Sequence, residues 1–236
     1  MIYVVLPAFN EEKTIGALCD SIIFVMRENG LAYKTLIVDD GSTDATAKAV
    51  KKVERKMPVE FIRHKKNLGL SEAIKTGLMH ALKKAKDEDI IVTMDSDNTH
   101  TPGLILRMTR MIREGHDLVI ASRYRPGSRV KGVPFPRKLL SLGASVLFRL
   151  TFPIKGVKDY TCGYRAYKAK VLKDAFAYYG NDFVNQPGFS CMVDILLKLR
   201  HFDVIAAEVP LILRYDRKQG KSKMDVSRTM KETLRL

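Results

Sequence analysis

The sequence has few cysteines and no cluster of cysteine and histidine. Its three cysteines, Cys19, Cys162 and Cys191, lie far apart, which excludes a disulfide framework and fits a reducing compartment. The five histidines are also spread along the chain, and none lies at the spacing that a zinc site requires. Disulfide-stapled and zinc-stabilised folds are therefore excluded.

Long apolar runs are missing as well. No stretch approaches the roughly 20 apolar residues that span a bilayer. The first run, residues 2–6, is too short for a signal peptide and has no basic segment before it. We therefore expect this sequence to be soluble or peripheral to a membrane.

Two common nucleotide-binding patterns are absent. A dinucleotide-dependent oxidoreductase carries G-x-G-x-x-G after its first strand, where this chain has Pro-Ala-Phe-Asn-Glu-Glu at residues 7–12. A P-loop needs a glycine five residues before Gly220, and that position is Tyr215. These positions exclude both enzyme classes.

Acidic residues are scarce relative to basic ones. The 236 residues include 41 Lys and Arg against 26 Asp and Glu, which gives a net charge of +15. Residues 123–138 contain six basic residues and no acidic one, so the excess is local to the second half. Such a field attracts phosphorylated small molecules, anionic lipids or nucleic acid, and a basic surface in a heat-stable protein is the other explanation.

Short apolar runs alternate with helical patterns along the first half. Runs rich in β-branched residues predict five strands, at residues 2–6, 35–38, 59–62, 90–94 and 118–120. Helical spacing predicts four helices, at residues 11–28, 43–55, 71–84 and 102–114. Ser42 is the predicted N-cap of the second helix. This alternation predicts an α/β fold, a mostly parallel sheet flanked by helices, in a single domain.

Acidic residues follow the predicted strands at the edge where ligands bind in open parallel sheets. Asp95 and Asp97 come directly after the fourth strand, and alternation along an extended chain sends both side chains to one side. Hard oxygen ligands at such a place suit Mg²⁺ or Mn²⁺ held jointly with phosphate oxygens. A plain turn also favours Asp and Ser, but it does not explain the polar residues after the other strands.

Asp39 and Asp40 follow the second predicted strand. An ionised carboxylate only accepts hydrogen bonds, so one of the two can accept them from a nucleobase. A negative charge here also favours the dipole of the following helix. The pair predicts a nucleobase contact for one carboxylate and leaves the structural role open for the other.

Four segments of the first half resemble, in order and spacing, the motifs of family 2 glycosyltransferases of the GT-A type. They are residues 7–12, 38–44 (Val-Asp-Asp-Gly-Ser-Thr-Asp), 67–69 (Asn-Leu-Gly) and 94–97 (Met-Asp-Ser-Asp). Four segments of the second half are similar to dolichol-phosphate mannose synthases and related polyprenyl-phosphate glycosyltransferases: residues 121–124, 137–141, 161–167 and 217–224. The resemblance covers nearly the whole chain and implies one GT-A domain.

That resemblance implies an inverting transfer of a hexose from a nucleotide sugar to a polyprenyl (dolichyl) phosphate. GDP-mannose is the favoured donor, UDP-glucose is its rival, and Mn²⁺ or Mg²⁺ is the implied cofactor. Residues 1–120 would bind the nucleotide sugar and residues 121–236 the acceptor. The resemblance implies that the protein contacts the cytoplasmic face of a membrane and that nucleic acid is not a partner.

The resemblance also assigns site residues. Those implied for the donor nucleotide are Pro7, Asn10, Glu11, Asp39, Asn67, Gly69, Asp95 and Lys223. Those implied for catalysis are Asp97, Arg123, Arg137 and Arg217, the arginines by gripping acceptor or donor phosphate. Asp95 and Asp97 are the implied metal ligands. Thr99 is a weaker third ligand, because the mannose synthases often carry Gln or Ser there.

The two possible acceptor classes need different chemistry. A phosphate monoester has a second pKa of about 6, so it is already a dianion at neutral pH and needs arginines rather than a base. A glycan hydroxyl, the alternative acceptor, needs a general base, for which Asp194 or Asp159 are the candidates. A basic nucleic-acid-binding protein is a distant alternative, and the acidic strand ends oppose it.

Residues 139–150 carry apolar side chains at roughly helical spacing behind Arg137 and Lys138. This pattern predicts either an interfacial helix with basic flanks at a membrane or a helix of the protein core. The sequence also stops within a helical pattern at residues 232–236. Because several relatives continue into membrane segments, we expect this chain to be the soluble part of a longer protein.

Overall fold

The structure, a computed structural model, describes residues 1–219, apart from the side chains at positions 135–138 and 140. Seven strands in this range form one sheet, and two more form a small second sheet. The large sheet contains β1 (Ile2–Ala8), β2 (Tyr33–Asp39), β3 (Val59–Arg63), β4 (Ile90–Thr93), β5 (Leu118–Ser122), β7 (Arg165–Lys168) and β8 (Ala206–Pro210). The small sheet pairs β6 (Arg129–Lys131) with β9 (Ile212–Arg214) in parallel.

Seven α-helices accompany these strands within residues 1–219. They are α1 (Ile15–Glu28), α2 (Thr46–Val53), α3 (Leu70–Leu82), α4 (Leu104–Arg113), α5 (Phe135–Thr151), α6 (Ala169–Tyr179) and α7 (Ser190–Leu199). The five strands and four helices predicted for the first half are confirmed, with ends shifted by a few residues.

The prediction that Ser42 caps the second helix is wrong. α2 begins at Thr46, and its first amide donates a hydrogen bond to Asp44 Oδ1 over 2.9 Å. Ser42 Oγ instead accepts a hydrogen bond from the backbone N–H of Asn10 over 2.9 Å. Both residue types are good local acceptors, so the sequence pattern alone did not separate them.

The order of strands in the large sheet is β3-β2-β1-β4-β7-β5-β8, and every pair is parallel except those that involve β7. The predicted α/β fold with a mostly parallel sheet is confirmed. The chain moves outward from β1 to β3 and then returns to β4 on the other side of β1. Ligands bind at such a switch point, because the loops after the two neighbouring strands diverge there.

The antiparallel strand β7 changes which residues reach that edge. Its amino end lies beside the carboxyl ends of β4 and β5. Residues 159–164, which precede β7, therefore join the site although they follow no parallel strand. Thr93 Oγ1 donates a hydrogen bond to the carbonyl of Gly163 over 2.7 Å, which ties this segment to the end of β4.

The core surrounds β1 and β4. Val4, Val5, Ile91 and Val92 are fully buried, and since neighbours along a strand point to opposite faces, both faces of the sheet are covered. α3 packs closely on β1 at Gly77, where a Cβ atom would lie 2.3 Å from Cγ1 of Val5. Glycine is needed at that position for this separation.

Helix α5 turns its apolar side to the outside. Ser145 Oγ donates a hydrogen bond to the carbonyl of Lys158 over 2.6 Å, and the ring of Phe148 stacks on Tyr160 at 5.7 Å. The exposed side carries Leu139, Leu142, Val146, Leu147 and Leu150. One side of α5 thus packs on the core through Phe148, and the exposed apolar side favours the interfacial-helix alternative. No helix in the described residues combines the length and apolar composition that crossing a bilayer requires.

Candidate active site

The loop after β1 turns at Asn10, whose φ of 52° lies in the left-handed region. Asparagine tolerates that conformation because its short polar side chain bonds locally. Asn10 Oδ1 accepts a hydrogen bond from the backbone N–H of Thr43 over 2.9 Å. The backbone N–H of Glu11 donates to Thr46 Oγ1 over 2.8 Å. Asn10 and Glu11 thus tie the loops after β1 and β2 together at the predicted edge.

Asp39 ends β2 and is fully buried. Its Oδ1 accepts a hydrogen bond from the backbone N–H of Ser42 over 2.9 Å. Its Oδ2 forms an ion pair with Nε of Arg63 at 3.1 Å but accepts no hydrogen bond from any described residue. A buried carboxylate oxygen without a hydrogen bond is costly. Asp39 Oδ2 therefore fits the predicted role of accepting a nucleobase N–H.

Asp40 has a structural role, although not the helix-dipole role considered from sequence. Its Oδ1 accepts the backbone N–H of Leu68 over 2.9 Å, and its Oδ2 accepts that of Gly69 over 2.8 Å. His64 Nδ1 also lies 2.7 Å from Oδ1. Asp40 thus fixes the loop of residues 67–69 beside the end of β2.

Gly41 makes the close approach of that loop possible. Its φ is 70°, and a Cβ atom there would lie 2.4 Å from the carbonyl carbon of Lys66, so a side chain would not fit. Asn67 follows with an exposed side chain. Asn67 and Gly69 therefore lie at the same sheet edge as Asp39, where the resemblance places them.

The loops after β1 and β4 are joined at Pro7. Its carbonyl accepts a hydrogen bond from Ser96 Oγ over 2.8 Å. Because Ser96 lies between Asp95 and Asp97, this bond sets the acidic loop against the end of β1. The structure thus brings the predicted donor residues of the first half to one edge of the sheet.

Asp97 accepts three hydrogen bonds from residues in the described part of the chain. Its Oδ1 accepts from the backbone N–H and the hydroxyl of Thr99, over 3.1 and 2.7 Å, and its Oδ2 accepts from Lys218 Nζ over 2.6 Å. Burial favours a higher pKa for Asp97, but the Lys218 ammonium outweighs it and brings the pKa below its ordinary value. Asp97 is therefore ionised near neutral pH. Thr99 orients Asp97, and its role as a metal ligand stays a prediction.

Asp95 is more open, with 35% of its side chain exposed. Its Oδ2 lies 3.9 Å from His100 Nε2, and Asp95 lines a small cavity together with Gly163 and Met192. The surrounding protein removes much of the water, so burial raises the pKa of Asp95, and the neighbouring Asp97 carboxylate adds to that effect.

His100 belongs to the site and was missed by the sequence analysis. It is buried, its ring stacks on Tyr164 at 5.0 Å, and its Nδ1 lies 3.4 Å from the backbone nitrogen of Asp95. Its position three residues after Asp97, in the same loop, was the available signal. A single histidine that has no partner residue at a fixed spacing does not predict a function from the sequence alone.

The acidic pair fits a divalent cation that is shared with a ligand. In residues 1–219, no three Asp, Glu, His or Cys side chains converge in a way that could hold an ion alone. Asp97 Oδ2 already accepts a hydrogen bond from a cation, the Lys218 ammonium. Two carboxylates at the ligand-binding edge of a mostly parallel sheet suit Mg²⁺ or Mn²⁺ that completes its shell with phosphate oxygens and water.

Arg123 follows β5 and forms a bidentate ion pair with Asp159. Nε lies 2.8 Å from Oδ2 and Nη2 lies 2.6 Å from Oδ1, while Nη2 also donates to Thr161 Oγ1 over 2.6 Å. Asp159 is fully buried, which favours a higher pKa, but the guanidinium outweighs burial and lowers its pKa. Asp159 is therefore a counter-ion for Arg123 rather than a free general base.

Glu208 of β8 holds the turn that carries Asp159. Its Oε1 accepts the backbone N–H groups of Lys158 and Asp159, over 2.6 and 2.7 Å. Glu208 is buried, and burial raises the pKa of its carboxyl. A continuous set of contacts thus runs from β8 through the turn to the guanidinium of Arg123.

Arg165 fixes the segment before β7 from inside the protein. It is fully buried, and its guanidinium donates to the carbonyls of Cys162, Met192 and Tyr160 over 2.8, 2.8 and 2.7 Å. These bonds join residues 160–162 to α7 behind the acidic pair. The sequence analysis included Arg165 in a motif but gave it no role.

Asp194, the other candidate base, lies in α7 and is buried. Its Oδ2 accepts a hydrogen bond from Lys198 Nζ over 2.7 Å. Burial nevertheless raises the pKa of Asp194, because it outweighs the lysine. Lys198 Nζ also donates to Asn185 Oδ1 over 3.1 Å, so this pair ties α7 to the preceding loop.

Of three further residues predicted in the second half, the structure describes the side chain of one. Arg217 is exposed in a 3-10 turn that spans Tyr215–Arg217. The side chain of Arg137 and all of Lys223 lie outside the described residues. Lys218, which follows Arg217 and contacts Asp97, was not predicted, since 121 residues separate it from its partner.

Sequence comparison relates the chain to named proteins. A family model described as glycosyl transferase family 2 matches residues 3–176. The chain is 34% identical over 233 residues to the dolichol-phosphate mannosyltransferase of Pyrococcus furiosus, and the match covers 98% of this chain and 61% of that protein. It is 29% identical over 228 residues to the polyprenol monophosphomannose synthase of Mycolicibacterium smegmatis, over 95% of this chain and 81% of that protein.

Comparison with solved structures gives the same fold. Glucosyl-3-phosphoglycerate synthase from Mycobacterium tuberculosis, in complex with Mn²⁺, UDP and glucosyl-3-phosphoglycerate, has a TM-score of 0.71 at 23% identity. The similarity covers 99% of this chain and 77% of that chain. The chain thus shares the fold of most of that structure. It spans less than two thirds of the length of the Pyrococcus furiosus relative.

Proposed function

Because the chain belongs to glycosyl transferase family 2 and has the GT-A fold, we propose that it is an inverting glycosyltransferase acting on a polyprenyl phosphate. GDP-mannose is the favoured donor, since the two relatives are named for dolichol-phosphate mannosyl transfer and for polyprenol monophosphomannose synthesis. A UDP-sugar is the alternative donor. Residues 1–120 form the donor half in this proposal and residues 121–236 the acceptor half.

The donor is bound at the edge where β1, β2 and β4 end. Asp39 Oδ2, buried and without a hydrogen bond from the described residues, supports a contact with the nucleobase. Asp95 and Asp97 would hold Mn²⁺ or Mg²⁺ together with the diphosphate. When bound, the ion neutralises charge on the leaving diphosphate. The remaining contacts proposed for the nucleotide are Pro7, Asn10, Glu11, Asn67, Gly69 and Lys223.

One observation carries the choice of a phosphate acceptor: both carboxylates that could serve as a general base are engaged by cations. Asp159 is bound by Arg123 at 2.6 Å, and Asp194 by Lys198 at 2.7 Å. A phosphate dianion needs no base, but it needs guanidinium groups that match its oxygens. Arg123, Arg137 and Arg217 have that role in this proposal.

A glycan hydroxyl is the second candidate acceptor, and one observation favours it. Burial raises the pKa of Asp194, which brings this carboxyl closer to the range of a general base. Asp194 shares α7 with Met192, which lines the small cavity at Asp95. The two acceptor classes predict different products and are separable by experiment.

The exposed side of α5 supports contact with a membrane, where a polyprenyl phosphate would lie. Five apolar side chains point outward, and Leu150 is 77% exposed. Arg149 and the basic residues Arg137 and Lys138 flank this apolar side in the sequence. Apolar contact combined with basic flanks is the pattern of an interfacial helix. We place this helix at the cytoplasmic face of the membrane.

The proposal is tested with labelled GDP-mannose, Mn²⁺ and a short-chain polyprenyl phosphate, by counting label extracted into organic solvent. We expect label in the organic phase and its loss on addition of EDTA. If only labelled UDP-glucose gives label in the organic phase, the proposed donor is wrong and the proposed acceptor stands. If label appears only in a water-soluble glycan product, the acceptor is a hydroxyl and Asp194 becomes the candidate general base.

A further inference from the structure

Lys218 places an ammonium on the acidic pair from a distant part of the chain. Its Nζ lies 2.6 Å from Oδ2 of Asp97. Both side chains are largely buried, with 18% of Lys218 and 13% of Asp97 exposed. This oxygen is one of the two carboxylate positions proposed for the divalent cation. The Lys218 ammonium and a metal ion would therefore compete for the same carboxylate oxygen.

The backbone around Lys218 is anchored to the acidic loop itself. The N–H of Arg214, the last residue of β9, donates to the carbonyl of Thr99 over 2.9 Å, and His100 forms a β-bridge with Leu213. The backbone N–H of Lys218 donates to the carbonyl of Tyr215 over 3.2 Å. These contacts fix the backbone that carries Lys218 beside the loop of Asp97.

The side chain of Lys218, in contrast, is held by few polar contacts from the described residues. Its ammonium lies 5.4 Å from the centre of the Tyr215 ring and makes its one hydrogen bond within the described residues to Asp97. Lysine is a point charge on a flexible four-carbon stem, so the charge can shift by several ångströms while the backbone stays in place. A bidentate arginine would not release its partner as easily.

We propose that Lys218 is the resident counter-ion of Asp97, that a divalent cation displaces it, and that the released ammonium then binds the donor diphosphate. This inference rests on the metal site of the proposed function. Two positive charges within about 4 Å repel each other, so ion and ammonium cannot both stay on Oδ2 of Asp97. In this proposal the diphosphate, held by the same ion, supplies a new anionic partner for the ammonium. In this way ion binding makes a further cation available for the donor.

The proposal predicts effects of opposite sign on two ligands. Removing the ammonium with Lys218→Gln removes a competitor, so Mn²⁺ should bind more tightly in the absence of nucleotide, by about tenfold. The same change removes a diphosphate contact, so GDP should bind more weakly in saturating Mn²⁺, by about tenfold. Lys218→Arg keeps the charge but releases Asp97 less readily, so it should not show the gain in Mn²⁺ affinity expected for Lys218→Gln. A merely structural lysine predicts no gain in Mn²⁺ affinity.

The experiment measures free Mn²⁺ by electron paramagnetic resonance, without nucleotide, and GDP affinity by calorimetry in excess Mn²⁺. Lys83→Gln, at an exposed position on the protein, is the control for the lost charge. Unchanged or weaker Mn²⁺ binding by Lys218→Gln would overturn the inference, and a variant that fails to fold is replaced by Lys218→Met with the same expectation. This experiment measures binding only, and the transfer assay tests the proposed function separately. If the wild type transfers mannose but Lys218→Gln binds Mn²⁺ as the wild type does, only the present inference is rejected.

Discussion

Arg123 and Asp159 form a bidentate pair in which the guanidinium edge made of Nε and Nη2 faces the carboxylate, with separations of 2.8 and 2.6 Å. Thr161 takes a further hydrogen bond from Nη2, while Nη1 has no hydrogen-bond partner among the described residues. The pair therefore holds the guanidinium plane in one orientation and leaves one nitrogen for a ligand. Asp159 acts as a positioning residue for Arg123 in this account.

Arg123→Ala should reduce kcat/KM for the polyprenyl phosphate by about 100-fold and leave donor binding nearly unchanged, because it removes a phosphate contact. It also leaves the buried carboxylate of Asp159 unpaired, which should lower the free energy of unfolding by about 3 kcal/mol. Steady-state kinetics with each substrate varied in turn and urea unfolding measure both effects.

The double variant Arg123→Ala/Asp159→Asn separates those effects. It should recover much of the lost stability, since no buried charge is left unpaired, but it should not recover use of the acceptor. If the single variant raised only the KM for the donor, the acceptor phosphate would have to be placed elsewhere.

Asp97→Ala should remove metal-dependent binding of the donor nucleotide. Calorimetry with GDP in Mn²⁺ should give the affinity that the wild type shows in EDTA, because the ion loses one of its two carboxylate ligands. Asp174→Ala, at an exposed residue paired with Lys170, is the matched control. Wild-type affinity in Mn²⁺ for the Asp97 variant would refute its assigned role.

Glu208→Gln should change how stability depends on pH. Burial raises the pKa of Glu208 in the folded protein, so the wild type loses stability as pH rises from the unfolded pKa, about 4.3, through the folded value. Glutamine keeps an oxygen for the two backbone N–H groups and does not ionise.

The variant should therefore gain stability relative to the wild type as pH rises through that window, and the gain should then level off. Urea unfolding at several pH values from 4 to 8 measures it. Glu88→Gln, at an exposed position, is the control. A pH-independent difference between Glu208→Gln and the wild type would contradict the assignment.

Leu142→Asp and Leu150→Asp in α5 should each weaken binding to vesicles by about tenfold, because burying one leucine in the interface contributes about 1.5–3 kcal/mol. Cosedimentation with vesicles of anionic phospholipid measures this. Phe24→Asp introduces the same charge at an exposed apolar residue of α1, and we expect it to bind as the wild type does. Equal loss for all three variants would mean that net charge, not α5, governs binding.

The sequence predicted the first half well, and the reason is local. Strands β1 to β5 are apolar runs between turn residues, and the loops after them place Asp39, Asp95 and Asp97 by the rule for parallel sheets. The role of Asp40 was open because a carboxylate after a strand can face a ligand or the backbone of the next loop. Only the three-dimensional position of residues 67–69 decides between these.

The second half was harder to predict because its key contacts join distant segments. β7 contains Arg165 and Lys168 and has no apolar alternation, so no strand was predicted there. The segment before it entered the prediction only through the candidate base Asp159 and the resemblance of residues 161–167. Arg165 is nonetheless buried, since backbone carbonyls satisfy its guanidinium. Glu208 and Lys218 likewise act on partners 49 and 121 residues away, which no local pattern reveals.

The central claim is that the acceptor is a phosphate held by arginines rather than a hydroxyl activated by a base. The most direct measurement compares a polyprenyl phosphate with the free polyprenol of the same length, each with labelled GDP-mannose and Mn²⁺, and identifies the lipid product by mass. The account predicts a mannosyl phosphate lipid from the first and no product from the second. A mannosylated polyprenol, formed from the free alcohol and lost with Asp194→Asn, would contradict it.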